Sequence, residues 1–148
     1  MIKPIGGFAA VAAALCLAAC ASVPMAPATA DQTAKQFAPV ADQASVYIYR
    51  NENMGAAIKM GIYVDDAPLA QTAANTYVYT LLAPGPHTIR SHAENNSEVQ
   101  IDAKAGEVYY VWQEVKMGVM SARSKLQIVD PATGQKGVSQ TKLVQNQR

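Results

Sequence analysis

From residue 45 onward, β-branched and aromatic residues recur in short alternating runs, and turn residues separate the runs at intervals of about ten positions. That rhythm predicts strands at 45–50, 58–64, 69–72, 76–82, 87–93, 98–103, 107–117 and 124–129. Asp65-Asp66, Pro84-Gly85-Pro86, Asn95-Asn96 and Ala105-Gly106 supply the turns between them. After Asp130-Pro131, with Gly134 and Gly137 close behind, the pattern admits either an edge strand or a short helix ending near Val144.

Successive strand side chains point to opposite faces, so alternation assigns core positions. Val46 and Ile48 share one face, as do Ile58, Met60, Ile62 and Val64. In the longest run, Val108, Tyr110 and Trp112 form one row, and Tyr109, Val111, Gln113 and Val115 form the other. A strand apolar on both sides belongs inside a sheet. The expected class is all-β: an antiparallel two-sheet sandwich, prealbumin-like or immunoglobulin-like, of seven to eight strands.

The beginning of the chain has a different texture. Lys3 precedes an uncharged apolar run over residues 5–19, which is the pattern of a secretory signal helix. Fifteen helical residues span about 22 Å, short of the roughly 30 Å of a bilayer's hydrocarbon core. The run ends in Leu17-Ala18-Ala19-Cys20, which resembles the lipobox of bacterial lipoproteins. That resemblance implies cleavage before Cys20, with diacylglycerol and an N-acyl chain as the only attached groups. Cys16 does not fit the pattern, because the bulky Leu15 precedes it. With Ala21 next, the same resemblance implies sorting to the outer membrane, with the domain facing the periplasm. Residues 21–44 are rich in Ala, Pro, Gln and Thr and read as a disordered tether of about 27 Å average reach, on which only Phe37 and Val40 are suited to dock. The expected organisation is a signal peptide at 1–19, lipidated Cys20 and tether at 20–44, a sandwich at 45–130 and a tail at 131–148. The segment from 45 to the end is expected to fold by itself.

Composition narrows the chemistry. Twelve basic and eleven acidic residues give a net charge of +1, and removal of Lys3 leaves the rest balanced, so no electrostatic footprint for nucleic acid exists. Both cysteines lie within the first twenty residues, which leaves the domain no thiol for a disulfide, a thiolate metal site or nucleophilic catalysis. His87 and His92, five apart on one strand, point to opposite faces and cannot chelate one ion together. His87 is expected to satisfy the turn entering its strand. Asp65 and Asp66 read as a hairpin tip, since Ala67-Pro68-Leu69 offers no side-chain oxygen for calcium. Gly118-Val119-Met120-Ser121-Ala122 lacks the second glycine of a nucleophile elbow. No metal, cofactor or enzymatic activity is expected.

Seven tyrosines and one tryptophan against two phenylalanines make aromatic residues the feature most open to a functional reading. Tyr47, Tyr49, Tyr77, Tyr79, Tyr109 and Trp112 are the candidate binding surface, with Tyr63 and Tyr110 also in strands.

Ile62-Tyr63-Val64-Asp65-Asp66, Pro84-Gly85-Pro86-His87 and Ala105-Gly106-Glu107-Val108-Tyr109-Tyr110-Val111 resemble an uncharacterised family of bacterial lipoprotein domains similar to PEGA-type β-sandwiches. The resemblance covers roughly residues 45–129 and implies a fold without an established chemistry. The expectation is a membrane-anchored envelope lipoprotein whose sandwich is a non-catalytic interaction or structural module with an envelope protein or glycan partner. The alternatives are a glycan- or small-ligand-binding module using surface tyrosines and, last, a periplasmic hydrolase.

Overall fold

The computed structural model describes residues 20–147, so the expected signal helix, with Leu17, Ala18 and Ala19, lies outside the described residues. The eight expected strands all form: β1 (Ala44–Arg50), β2 (Met60–Val64), β3 (Ala67–Thr72), β4 (Thr76–Leu82), β5 (Gly85–His92), β6 (Asn96–Ala103), β7 (Val108–Met117) and β8 (Ala122–Val129). Helix α1 (Ala28–Ala34) precedes them, and α2 (Pro131–Ser139) and the short β9 (Lys142–Leu143) follow.

Two sheets stack face to face, one in the order β8-β7-β1-β4-β9 and the other β3-β2-β5-β6. Val46, Ile48, Val78 and Val111 from the first sheet meet Ile62, Ile89 and Ile101 from the second. Each of the seven is 3% exposed or less, and together they are the centre of the core. The fold is the expected all-β sandwich. It is not wholly antiparallel, however: β1 pairs with β7 in parallel, and so does β4 with β9. A parallel neighbour requires a long crossover, and here the whole second sheet lies between β1 and β7 in the chain. The turn joining β2 to β3 holds Asp65 and Asp66 at φ of 49° and 66°, as a two-residue turn matched to strand twist demands.

One element was left open by the pattern, and one expectation needs correction. The tail is both helix and strand. Asp130 caps α2 by accepting from the Thr133 backbone N–H at 2.9 Å, and Pro131 takes the first helical position. Residues 21–44, in turn, are no free tether. The Ala21 N–H donates to Ala56 O at 2.9 Å, Ala26 N–H to Leu143 O at 3.0 Å, and Gln145 N–H returns a bond to Pro24 O at 2.9 Å. Val23 and Ala34 are buried. Val23 fills the core between the sheets, while Ala26, α1 and Phe37 cover the outer face of the five-stranded sheet, where Tyr47, Tyr49, Tyr77 and Tyr110 would otherwise lie open to water. Small alanines on α1 and glycines on α2 let both helices lie close on these rings. The protein therefore has three layers, with the helices covering one sheet.

Candidate functional site

Tyr47 is at the centre of this aromatic layer. Its ring stacks on Tyr110 at 5.3 Å between centroids, and Phe37 meets it edge-on at 5.4 Å. Its hydroxyl donates to Ala34 O at 2.7 Å, which fastens the end of α1 to β1. Burial, with Tyr79 and Tyr110 close by, pushes the Tyr47 hydroxyl well above the ordinary tyrosine range, so it stays protonated and acts as a structural donor. Burial does the same to Tyr77, helped by the adjoining Asp31. Asp31 itself is held below the usual carboxylate range: burial opposes this, but bonds from Lys35, Tyr77 and the Leu143 N–H outweigh it. By accepting from the Leu143 N–H at 3.0 Å, Asp31 ties α1 to β9, and Lys35, paired with it at 2.9 Å, donates onward to Thr141 O at 2.6 Å.

Of the six candidate binding residues, Tyr47, Tyr49 and Tyr77 are buried under the helices. Trp112 is half-buried beside α2, with its Nε1 buried and without a hydrogen-bond partner. Tyr109 lies on the opposite face of β7, against the core between the sheets, where its hydroxyl donates to Asp102 O at 3.0 Å and accepts from the Lys104 N–H at 3.2 Å, latching the turn from β6 to β7. Tyr49 and Trp112 border a smaller hollow beside α2, and Tyr79, with one edge of Tyr47, borders a larger opening. There an apolar groove of about 560 Å³ runs between α1 and the sheet, lined also by Ala30, Ala38 and Val40.

His87 and His92 point away from each other, as their spacing requires. His87 Nδ1 lies 2.6 Å from Asp65 Oδ2 and its Nε2 2.7 Å from Ala83 O, so both ring nitrogens hold the end of the sandwich together. The hydrogen bond to Asp65 raises the His87 pKa, and the Thr88 N–H together with His87 lowers that of Asp65. Asp66 pairs instead with Arg90 at 2.6 Å. His92 is exposed and contacts Asn96 Oδ1 at 2.7 Å. Among the described residues, no three His, Cys, Asp or Glu side chains gather as metal ligands, and no helix is long and apolar enough to cross a membrane.

Two buried polar features lie outside what strand alternation predicts. Arg50 closes the apolar run of β1 and is fully buried, donating to the carbonyls of Ile58 at 2.8 Å, Gly55 at 2.7 Å and Met54 at 3.3 Å. Burial lowers its pKa, but the arginine remains charged. It organises the loop whose Ala56 carbonyl receives the Ala21 N–H, so Cys20, exposed, begins from a fixed point at this end of the sandwich. A cation ending an otherwise apolar strand was the available signal. Gln113 is the second feature. It accepts from Thr72 Oγ1 at 2.6 Å and donates to Ser91 Oγ at 2.7 Å, and Ser91 meets Ser124 Oγ at 2.7 Å. This chain of bonds joins both sheets through the core.

A family model described as a protein of unknown function (DUF2846) matches residues 40–125, more than half of the chain. The chain belongs to this family. The DUF2846 match begins just before β1 and ends within β8, so it covers the four-stranded sheet and most of the five-stranded one, whereas α1, α2 and β9 lie beyond it. A protein from Haemophilus influenzae described as uncharacterized is 35% identical over 131 residues, which cover 87% of this chain and 78% of that protein.

Proposed function

We propose that this DUF2846 protein is an envelope lipoprotein, acylated at Cys20 and carried on the periplasmic face of the outer membrane, whose sandwich is a non-catalytic interaction or structural module. One observation carries the reading: the lipobox-like Leu17-Ala18-Ala19-Cys20 ends on an exposed cysteine, and the chain is bound to the folded domain from the very next residue. Two or three acyl chains at that point would hold the domain stably, where one would bind only marginally. Kinship with PEGA-type sandwiches belongs to the same proposal and rests on the turn motifs alone. The non-catalytic part is supported by the satisfied ring nitrogens of His87 and the raised tyrosine hydroxyls, which leave these groups in structural roles.

The test is metabolic labelling with a fatty acid, followed by membrane fractionation of wild type and Cys20→Ser. Label on the wild type alone, with release of Cys20→Ser from the membrane fraction, is the expected result. Equal membrane retention of an unlabelled Cys20→Ser protein would defeat the proposal.

The groove beside Tyr47 and Tyr79 favours a second reading, a module that binds a small apolar or glycan ligand. Narrowing the groove by Ala30→Leu would then reduce ligand capture without releasing the protein from the membrane.

A further inference from the structure

The turn between β7 and β8 carries three large apolar side chains in the open: Met117 is 81% exposed, Val119 86% and Met120 91%. Nothing in its sequence requires such a turn to be apolar, and exposed clusters of this kind mark contact sites. The turn is nevertheless rigidly built. The Gly118 N–H donates to Ser121 O at 3.0 Å. The Glu94 carboxylate accepts from the backbone N–H groups of Val119 at 2.8 Å, Met120 at 2.9 Å and Ser121 at 2.7 Å. These bonds hold Glu94 below the usual carboxylate range. The turn thus presents apolar side chains outward while its own backbone donors are satisfied from behind. Backbone entering an apolar medium must meet that condition, because an unpaired N–H there is costly.

The same end of the sandwich carries the expected lipid. Ala21 is bonded to Ala56, and Gly55 beside it lies against Ala122 and Val115, which flank the turn. Met54, 51% exposed, shares a cavity with Met117. Cys20 and four exposed apolar side chains therefore occupy one end of the molecule, with no slack between Cys20 and the domain. Charges of both signs surround the base of the turn: exposed Lys59 lines a hollow with Met120 and exposed Arg123 lies near Glu94, while Glu52, Glu114 and Lys116 line the cavity of Met54 and Met117.

We infer that the turn at residues 117–121, with Met54, is a membrane-contacting edge that inserts into the headgroup and upper acyl region of the same bilayer that holds Cys20. It fixes the tilt of the sandwich, so that the opposite end, with Asp65, His87 and the groove beside α1, faces away from the lipid. This rests on the lipid-anchor proposal, since the acyl chains are what bring the turn to the surface.

The experiment uses the mature lipoprotein purified from membranes and reconstituted into vesicles of phosphatidylethanolamine and phosphatidylglycerol. Acylation would leave Val119→Cys or Ala105→Cys as the only free thiol for an environment-sensitive fluorophore, and brominated lipids would report depth. Both positions are exposed, and unchanged melting curves would confirm folding. The label at 119 is expected to lose at least half of its emission to brominated lipid, and the label at 105, on the far turn, to lose none. Mass spectrometry of Cys20 separates the two proposals. An acylated protein whose label at 119 is unquenched overturns the membrane-contacting edge and leaves the anchor standing, whereas an unacylated Cys20 overturns both.

Discussion

Gly137 lies flat against the ring of Tyr49: a Cβ at that position would fall 2.1 Å from Tyr49 Cε2. Gly134, one turn earlier, stands in the same relation to Tyr110, at 2.2 Å from Cγ. Alanine would favour the helix intrinsically by about 1 kcal/mol. Overpacking against a buried ring costs about 1–3 kcal/mol, and these contacts are with ring atoms of tyrosines that cannot retreat. Gly137→Ala and Gly134→Ala should therefore each lower stability in urea, while Lys136→Ala, on the exposed side of α2, should be near neutral.

Removal of residues 20–44 should destabilise the domain, contrary to the expectation that residues 45–148 stand alone. It strips α1 from Tyr47 and Tyr77 and removes the edge-on contacts of Phe37 with Tyr47 and Tyr110. Thermal melts of residues 20–148 and 45–148 would measure the loss, and identical melting temperatures would contradict the docked segment.

Gln113→Leu should cost about 2–4 kcal/mol, because it leaves buried Thr72 without its short bond and removes the donor to Ser91. Replacing the four partners together, with Thr72→Val, Ser91→Ala and Ser124→Ala added, should recover part of that loss. A denaturation series on the single and quadruple variants checks the coupling.

Trp112→Ala should cost less than the about 3–5 kcal/mol of a fully buried aromatic, since Trp112 is only half covered beside α2. Trp112→Phe should be close to neutral, because it removes a buried N–H that has no partner. Equal losses in the two variants would show that the indole N–H does matter.

The pair of His87 and Asp65 makes stability depend on pH with a definite sign. The folded His87 pKa is raised, so its contribution is complete below the ordinary histidine value of about 6.5 and disappears as pH climbs through the folded value. The folded Asp65 pKa is lowered, so its contribution exists above about 4 and is lost as pH falls through the folded value. His87→Asn should therefore differ most from wild type between about pH 4 and 6.5 and converge with it above neutrality. Asp65 is half exposed, so solvent screening keeps the difference small. Melting temperatures of both proteins across this range would test it.

Strand positions and facing were legible from alternation alone, because a strand's period of two is a local property of the backbone. Val46, Ile48 and Ile62 went to the core as their spacing required, and the two-sided row of Val108 to Val115 marked β7 as an interior strand. The histidines' divergence and the hairpin at Asp65-Asp66 were local as well. The covering of the tyrosines was not. Residues 21–44 look like a linker by composition, and nothing in their own sequence reveals that a distant aromatic face is better buried by alanines than left in water. The parallel pairing of β1 with β7, the burial of Arg50 and the bonds of Gln113 likewise depend on partners far away in the chain. Gly134 and Gly137 show the difference most plainly. In sequence they look like turn residues, and only the rings of Tyr110 and Tyr49 pressed against the helix explain why a side chain has no room there.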